Sequence, residues 1–225
     1  MIQSYDDFCR ELLAAGFSCA GKDETFSLIG NNWNEEGSLR WHTGDPEADP
    51  WEWRIRVLDE RDDIAYAKVF NKKAGFITRA WYPYFLAARR GGISFAQAYM
   101  DGTVTHNAKR IYEAISAYGS LPTEEIKRVA NFSREDKSKF DSALNELQMR
   151  LFVTIQGQQL KFTSAGESYG MPSTVFCTTE HFWGEEVFAQ AAGLSESDAV
   201  ETIAQQIMRL NPAAQEKKVL KFIKG

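Results

Sequence analysis

Between Val104 and Thr163 the chain changes rhythm several times in a fixed order, and that order narrows its fold more than any other feature. "VTHNAKRIYEAISAYGS" repeats apolar residues at helical spacing, with Ala108, Ile111, Ile115 and Tyr118 on the inward side. "LPTEEIKRVANF" places an extended Leu121 before Pro122, then starts a second helix at a Thr123 cap with Ile126 and Val129 inward. "SREDKSKFDSALNELQMR" opens on Ser133 and Asp136, a capping box with Asp in the usual place of Glu. Its buried stripe is Phe140, Ala143, Leu144 and Leu147. "LFVTIQGQQLKFT" alternates around Gly157 and predicts two strands joined by a tight turn there. Helix, extended residue, helix, helix, hairpin is the order of a winged helix-turn-helix.

The flanks have other rhythms. Ser4, Asp6, Asp7 and Gly16 bracket a first helix carrying Phe8, Leu12 and Leu13. "TFSLIG" and "GSLRWHT" read as short strands, and 43–50 as a loop holding Gly44, Pro46 and Pro50. "WEWRIRV" alternates, so a strand is expected with Trp51, Trp53, Ile55 and Val57 on one side. "DIAYAKVF" and "AGFIT" form a hairpin with Asn71 at its turn. Thr78 caps "RAWYPYFLAARR", which Gly91 ends, and Ser94 caps "FAQAYMDG". Beyond 163, "STVFCT" reads as a strand. Thr179 caps "EHFWGEEVFAQAAG", Ser195 caps "ESDAVETIAQQIMRL", and a last helix follows Pro212. The expected class is α+β: a small N-terminal antiparallel sheet with helices, packed on a winged helix-turn-helix, with C-terminal helices. The expected division is 1–103, 104–172 and 173–225, with soft boundaries.

Composition excludes several classes. With 44% hydrophobic and 13% aromatic residues, the 225-residue chain can bury a substantial core. A net charge of −5 excludes a generally basic nucleic-acid coat, though not a local patch. Cys9, Cys19 and Cys177 form no Cys-x-x-Cys pair, so no zinc knuckle or redox motif is present. Scattered thiols, the lack of a signal-peptide pattern and the lack of a long apolar run give the expectation of a soluble cytoplasmic protein without membrane association. No phosphate loop, dinucleotide fingerprint, nucleophile elbow or His-Glu-x-x-His occurs. No cofactor and no metal are expected.

"DPWEWR", "AYAKVFNKKAGFI", "WYPYFLAARRGG" and "FDSALNELQMRLFVTIQG…SAGESYGMP" resemble the bacterial AlkZ-related proteins, from about Trp33 to Trp183. That family is similar in part to the AlkZ-type winged-helix DNA glycosylases, which excise alkylated or cross-linked bases. The resemblance implies a relative of that scaffold and a double-stranded DNA partner. The glycosylases share a Gln-x-Gln pair near a DNA-facing pocket. "QGQQ" at 156–159 is the similar string here, but it falls in the expected wing turn, so no catalytic role is transferred to it.

Two groups of residues are candidates for contact with DNA. The third helix of the motif would present Lys137, Ser138, Lys139, Ser142, Asn145 and Gln148. Across 133–150, however, Arg134, Lys137, Lys139 and Arg150 are matched by Glu135, Asp136, Asp141 and Glu146. The second group lies in 66–92, where Lys68, Lys72, Lys73, Arg79, Arg89 and Arg90 occur with no acid and with interleaved rings. The preceding acidic stretch, 43–63, could pair with it across the sheet. Trp51, Trp53 and Trp81 are the candidate rings of a base pocket. His42 beside Asp45, and Glu180 beside His181, are the available acid–base pairs, and the catalytic residues stay unassigned. The alternative function is a protein-interaction or small-molecule-sensing winged-helix module without enzymatic activity.

Overall fold

Ser4 opens the first helix: its Oγ accepts the Asp7 amide at 3.2 Å, and α1 runs Tyr5–Ala15. The computed structural model describes residues 2–30, 39–163 and 166–225. They fall into two units, Met1–Gly92 with Glu185–Gly225, and Ile93–Gly184.

In the first unit α1 ends at Gly16, whose φ is +94°, and β1 (Phe17–Cys19) follows. The "TFSLIG" run is not a strand: Phe26, Leu28 and Ile29 are buried in a chain of bends and turns. Residues 37 and 38 of the second expected strand lie outside the described residues, and 39–43 are loop.

"WEWRIRV" is a helix, which corrects the expected strand: α2 spans Pro50–Glu60. Asp49 caps it and Pro50 sits in its first turn, where a missing N–H costs nothing. Pro50, Trp53 and Val57 are buried at helical spacing, while Trp51 and Ile55 are half-buried. A run of large apolar residues at every second position satisfied both periods, and the cap decided between them.

Asp49 is fully buried. Its carboxylate accepts the amides of Thr43 at 2.7 Å, Trp51 at 2.8 Å and Gly44 at 3.0 Å. Burial alone would raise this carboxyl, but the amides of Trp51, Gly44, His42 and Thr43 together hold its pKa below the ordinary Asp value. Asp49→Ala is expected to cost about 2 kcal/mol at pH 7 in urea denaturation. Because the folded pKa is depressed, the stabilisation is complete above the unfolded value of about 4 and is lost as pH falls through the folded one. The gap between wild type and variant should therefore narrow in acid; a gap that stays constant there contradicts the assignment.

β2 (Ile64–Phe70) and β3 (Lys73–Thr78) form the expected hairpin, pairing Ile64 with Thr78 and Phe70 with Lys73. Asn71 and Lys72 both have left-handed φ, 51° and 67°, as a two-residue turn of this hand requires. β1 joins β3 antiparallel, giving the order β1-β3-β2. α3 (Tyr82–Arg90) follows, with Pro83 in its first turn and Gly91 as its left-handed C-cap. Thr78 does not cap it: the Thr78 amide and Oγ1 both donate to the Gly16 carbonyl at 2.9 Å, tying β3 to the end of α1.

The second unit opens with α4 (Phe95–Met100), capped by Ser94, and α5 (His106–Tyr118), capped by Thr105. Ala108, Ile111 and Ile115 are buried, but Tyr118 is 63% exposed, because the helix ends there at Gly119. β4 (Ser120–Pro122) leads into α6 (Thr123–Val129). Pro122 holds the cap position, and the Thr123 hydroxyl donates to Thr174 O instead. α7 (Lys137–Met149) buries Phe140, Ala143, Leu144 and Leu147 as expected.

The ribbon after α7 differs from its expected form. β5 (Val153–Gln159) runs through Gly157 without turning. Its partner is β6 (Ser173–Thr178), paired Val153 to Thr178 and Gln159 to Ser173. Gly157 marks a shift of register rather than a turn, as an isolated Gly in a strand often does. β4 pairs with the other edge of β6, giving β5-β6-β4, all antiparallel.

The Thr178 Oγ accepts the His181 amide and caps α8 (Thr179–Trp183), so the cap lies one residue before the expected Thr179. Gly184 divides the expected single helix, and α9 (Glu185–Ala192) belongs to the first unit. α10 (Glu196–Leu210), capped by Ser195, and α11 (Glu216–Lys224) complete that unit. Ile203 and Ile207 of α10 are fully buried, and Phe222 of α11 stacks on Phe70 with centroids 3.9 Å apart. The class is α+β. Among the described residues no helix is long and apolar enough to cross a membrane.

Candidate functional site

The turn between α6 and α7 is closed by hydrogen bonds. Asn131 adopts a left-handed φ of 56°, the Phe132 amide reaches Lys127 O at 2.8 Å, and the Asn131 amide reaches Arg128 O at 3.2 Å. Arg110 of α5 pins the same corner. Its guanidinium donates to Ala130 O at 2.5 Å and Asn131 O at 2.6 Å, and lies 4.2 Å from the Phe132 ring centroid. At the start of α7 the Ser133 amide and hydroxyl both donate to Asp136 Oδ2, at 3.2 and 2.8 Å. Lys139 and then Ser133 hold the Asp136 carboxyl down at about 2.

This corner borders a groove of about 410 Å³ lined by four cations, Lys127, Arg128, Arg134 and Lys137, and one acid, Glu124, with Phe132 and Phe140 as its apolar part. Lys127 pairs with Glu124 at 3.3 Å and Arg128 with Glu125 at 2.5 Å. Arg134 and Lys137 are exposed and have no ion-pair partner among the described residues. The acids that balance α7 in the sequence are partly engaged. Asp136 holds Lys139 at 2.9 Å, and Glu146 accepts the Thr105 amide and hydroxyl at 3.1 and 2.7 Å.

Of the expected reading face, Lys137, Ser138, Lys139 and Ser142 are exposed and Asn145 is half-buried. Gln148 is buried, 2% exposed, with Nε2 donating back to Leu144 O, so it cannot present itself to a base. Beyond β5, Leu160, Phe162, Tyr169 and Met171 are each more than half exposed around a short bridge from Phe162 to Ser168. Gln156, Gln158 and Gln159 lie exposed on β5 rather than in a tight turn.

The basic residues of the first unit are mostly engaged within it. Lys73 pairs with Asp23 at 2.9 Å, Arg79 with Glu186 at 2.7 Å, and the Arg90 guanidinium lies 5.2 Å from the Phe188 ring. Arg89 donates to the carbonyls of Ile223 at 2.6 Å, Val69 at 2.7 Å and Phe222 at 3.0 Å, closing the end of α11. Burial pulls its pKa down to about 9, so it stays protonated at neutral pH. Lys72, in the hairpin turn, is exposed and without an ion-pair partner among the described residues. The partners found for Lys73 and Arg79 come from outside the acidic 43–63 stretch.

The three tryptophans stand apart. Trp53 is fully buried, stacked on Phe8 at 5.3 Å, with Nε1 donating to Pro46 O. Trp51 lies under the Arg54 guanidinium at 3.4 Å and beside His42 at 4.9 Å. Trp81 packs between Phe17 and Tyr84. No ring contact joins them to one another among the described residues.

Comparison with known protein families decides the relationship. The model of the family described as AlkZ related matches residues 2–224. The chain belongs to the AlkZ-related family. No curated protein and no solved structure matches it.

In this AlkZ-related chain the three cysteines are buried, and burial raises their thiols, that of Cys177 to about 12, so none is a ready nucleophile. His42 rests against Trp51, and His106 meets the Tyr99 hydroxyl at 3.4 Å. Among the described residues no three His, Cys, Asp or Glu side chains are grouped as a metal site. Sequence reasoning missed Lys127, Arg128 and Arg134 as companions of Lys137. The available signal was the basic end of α6 followed, after the turn, by Arg134.

Proposed function

We propose that this chain is a DNA-associated winged-helix protein, related to the AlkZ-type alkylated-base glycosylases, that docks on duplex DNA through α6 and α7. The element order α5-β4-α6-α7-β5-β6, with β6 between β5 and β4, supports the winged-helix reading. The observation that carries the proposal is the α6–α7 groove, where Arg134 and Lys137 stand ready for phosphate at the N-terminal end of α7. Lys137 and Lys139 are the proposed phosphate contacts of the sequence set, with Asn145 toward base edges. The exposed ribbon tip, with Phe162, Tyr169 and Met171, supplies apolar groups of the kind that press into a minor groove. Lys72 is the proposed contact from the first unit. Arg79, Arg89, Arg90 and Lys73, and the rings of Trp51, Trp53 and Trp81, act first in holding that unit together.

Photo-crosslinking to a duplex carrying 5-iodouracil tests the proposal. Crosslinked peptides should fall within 123–150 and around the ribbon tip. Crosslinks confined to residues outside Ile93–Gly184 overturn it. The same duplex carrying methylated purines, followed by alkali, reads out any base excision separately from binding.

A further inference from the structure

The second unit holds another cavity, of about 540 Å³, between α4 and α5 and beside the start of α8. Its apolar wall contains Tyr99, Tyr112 and Met100, the last 71% exposed. Tyr112 is held in place by Phe95, stacked on it at 3.8 Å and 12°, and Phe95 is held in turn by the edge of Phe152. Glu113 and Glu180 bring two carboxylates to the lining, against the single ammonium of Lys109. Lys109 lies 4.4 Å from the Tyr99 ring centroid and 3.7 Å from Glu113.

We propose that this cavity binds a planar organic cation, a flat aromatic system of two or three fused rings carrying a positive charge. The volume lies within the roughly 300–1,000 Å³ of ordinary ligand sites. Rigid aromatic walls give a flat ring its stacking surface, and their electron-rich faces attract positive charge. The excess of carboxylate over ammonium selects a cation over an anion. Lys109 shows where such a charge settles: above Tyr99 and within reach of Glu113. A bound cation takes the place above the ring and leaves Lys109 to Glu113. This site is independent of the α6–α7 groove and does not require the chain to touch DNA.

Titration of the full chain with 1-methylquinolinium, beside neutral 1-methylnaphthalene and anionic naphthalene-1-sulfonate, tests it in the absence of DNA. The cation should bind saturably and at least about tenfold more tightly than the neutral ring, with the anion weakest. Glu180→Gln should weaken the cation about fivefold and leave the neutral ring unchanged. Met100→Lys changes an exposed side chain and so spares the fold; it should weaken the cation at least about tenfold, with melting temperature confirming an intact protein. A neutral ring that binds as tightly as the cation overturns the proposal. So does the absence of saturable cation binding, or a cation affinity unmoved by Met100→Lys in the folded variant.

Discussion

Gly16→Ala is expected to lower the melting temperature by about 10 °C. Two costs add. Gly16 closes α1 at φ +94°, where a side chain costs about 1–2 kcal/mol. A Cβ built there would also lie 2.2 Å from Trp81 Cδ1, and such overpacking costs about 1–3 kcal/mol. Relaxation is blocked, because the Gly16 carbonyl is fixed by two bonds from Thr78 and Trp81 is wedged against Phe17. Combining the change with Trp81→Ala removes the clash but not the backbone strain, so the double variant should lose less than the sum of the singles. A shift under about 2 °C for Gly16→Ala would show that the α1–β3 junction yields freely.

Reversing the charge at Arg134 and Lys137 together, by Arg134→Glu with Lys137→Glu, should weaken duplex binding about 30- to 100-fold and flatten its salt dependence by about two phosphate contacts. Both residues are exposed, so melting should hardly move. Lys139→Glu should do less, because Lys139 is already matched by Asp136 at 2.9 Å. Fluorescence anisotropy with a labelled duplex reads all three. Equal binding by wild type and the Arg134/Lys137 double variant would remove the groove from the proposal.

Much of the second unit was legible because its helices obey one period and one set of caps. Ala108, Ile111, Ile115, Phe140, Ala143, Leu144 and Leu147 all lie where helical spacing puts them. The strand read into "WEWRIRV" failed because Trp51, Trp53, Ile55 and Val57 alternate while Pro50, Trp53 and Val57 also recur every three or four residues. The Asp49–Pro50 start carried the answer. The ribbon was misplaced because Gly157 fits a turn and a register shift equally well, and the true partner strand begins at Ser173, 14 residues after β5 ends at Gln159. The groove was half legible. Lys137 is visible as an exposed position on α7, but its neighbours Lys127 and Arg128 reach it only through the left-handed Asn131 turn. Arg89 shows the reverse: a cation in a basic run, two of whose hydrogen bonds go to carbonyls more than 130 residues away in the chain, which local sequence does not reveal.

The account rests on an electrostatic contact between one cationic groove and the phosphates of duplex DNA. The affinity of the wild-type chain for a plain duplex, followed by anisotropy across a range of KCl concentrations, tests that contact most directly. The account predicts a linear fall of log K with log salt, with a slope of about −3 to −4, as roughly four phosphate contacts require. A slope near zero, or no binding at the lowest salt, would contradict it.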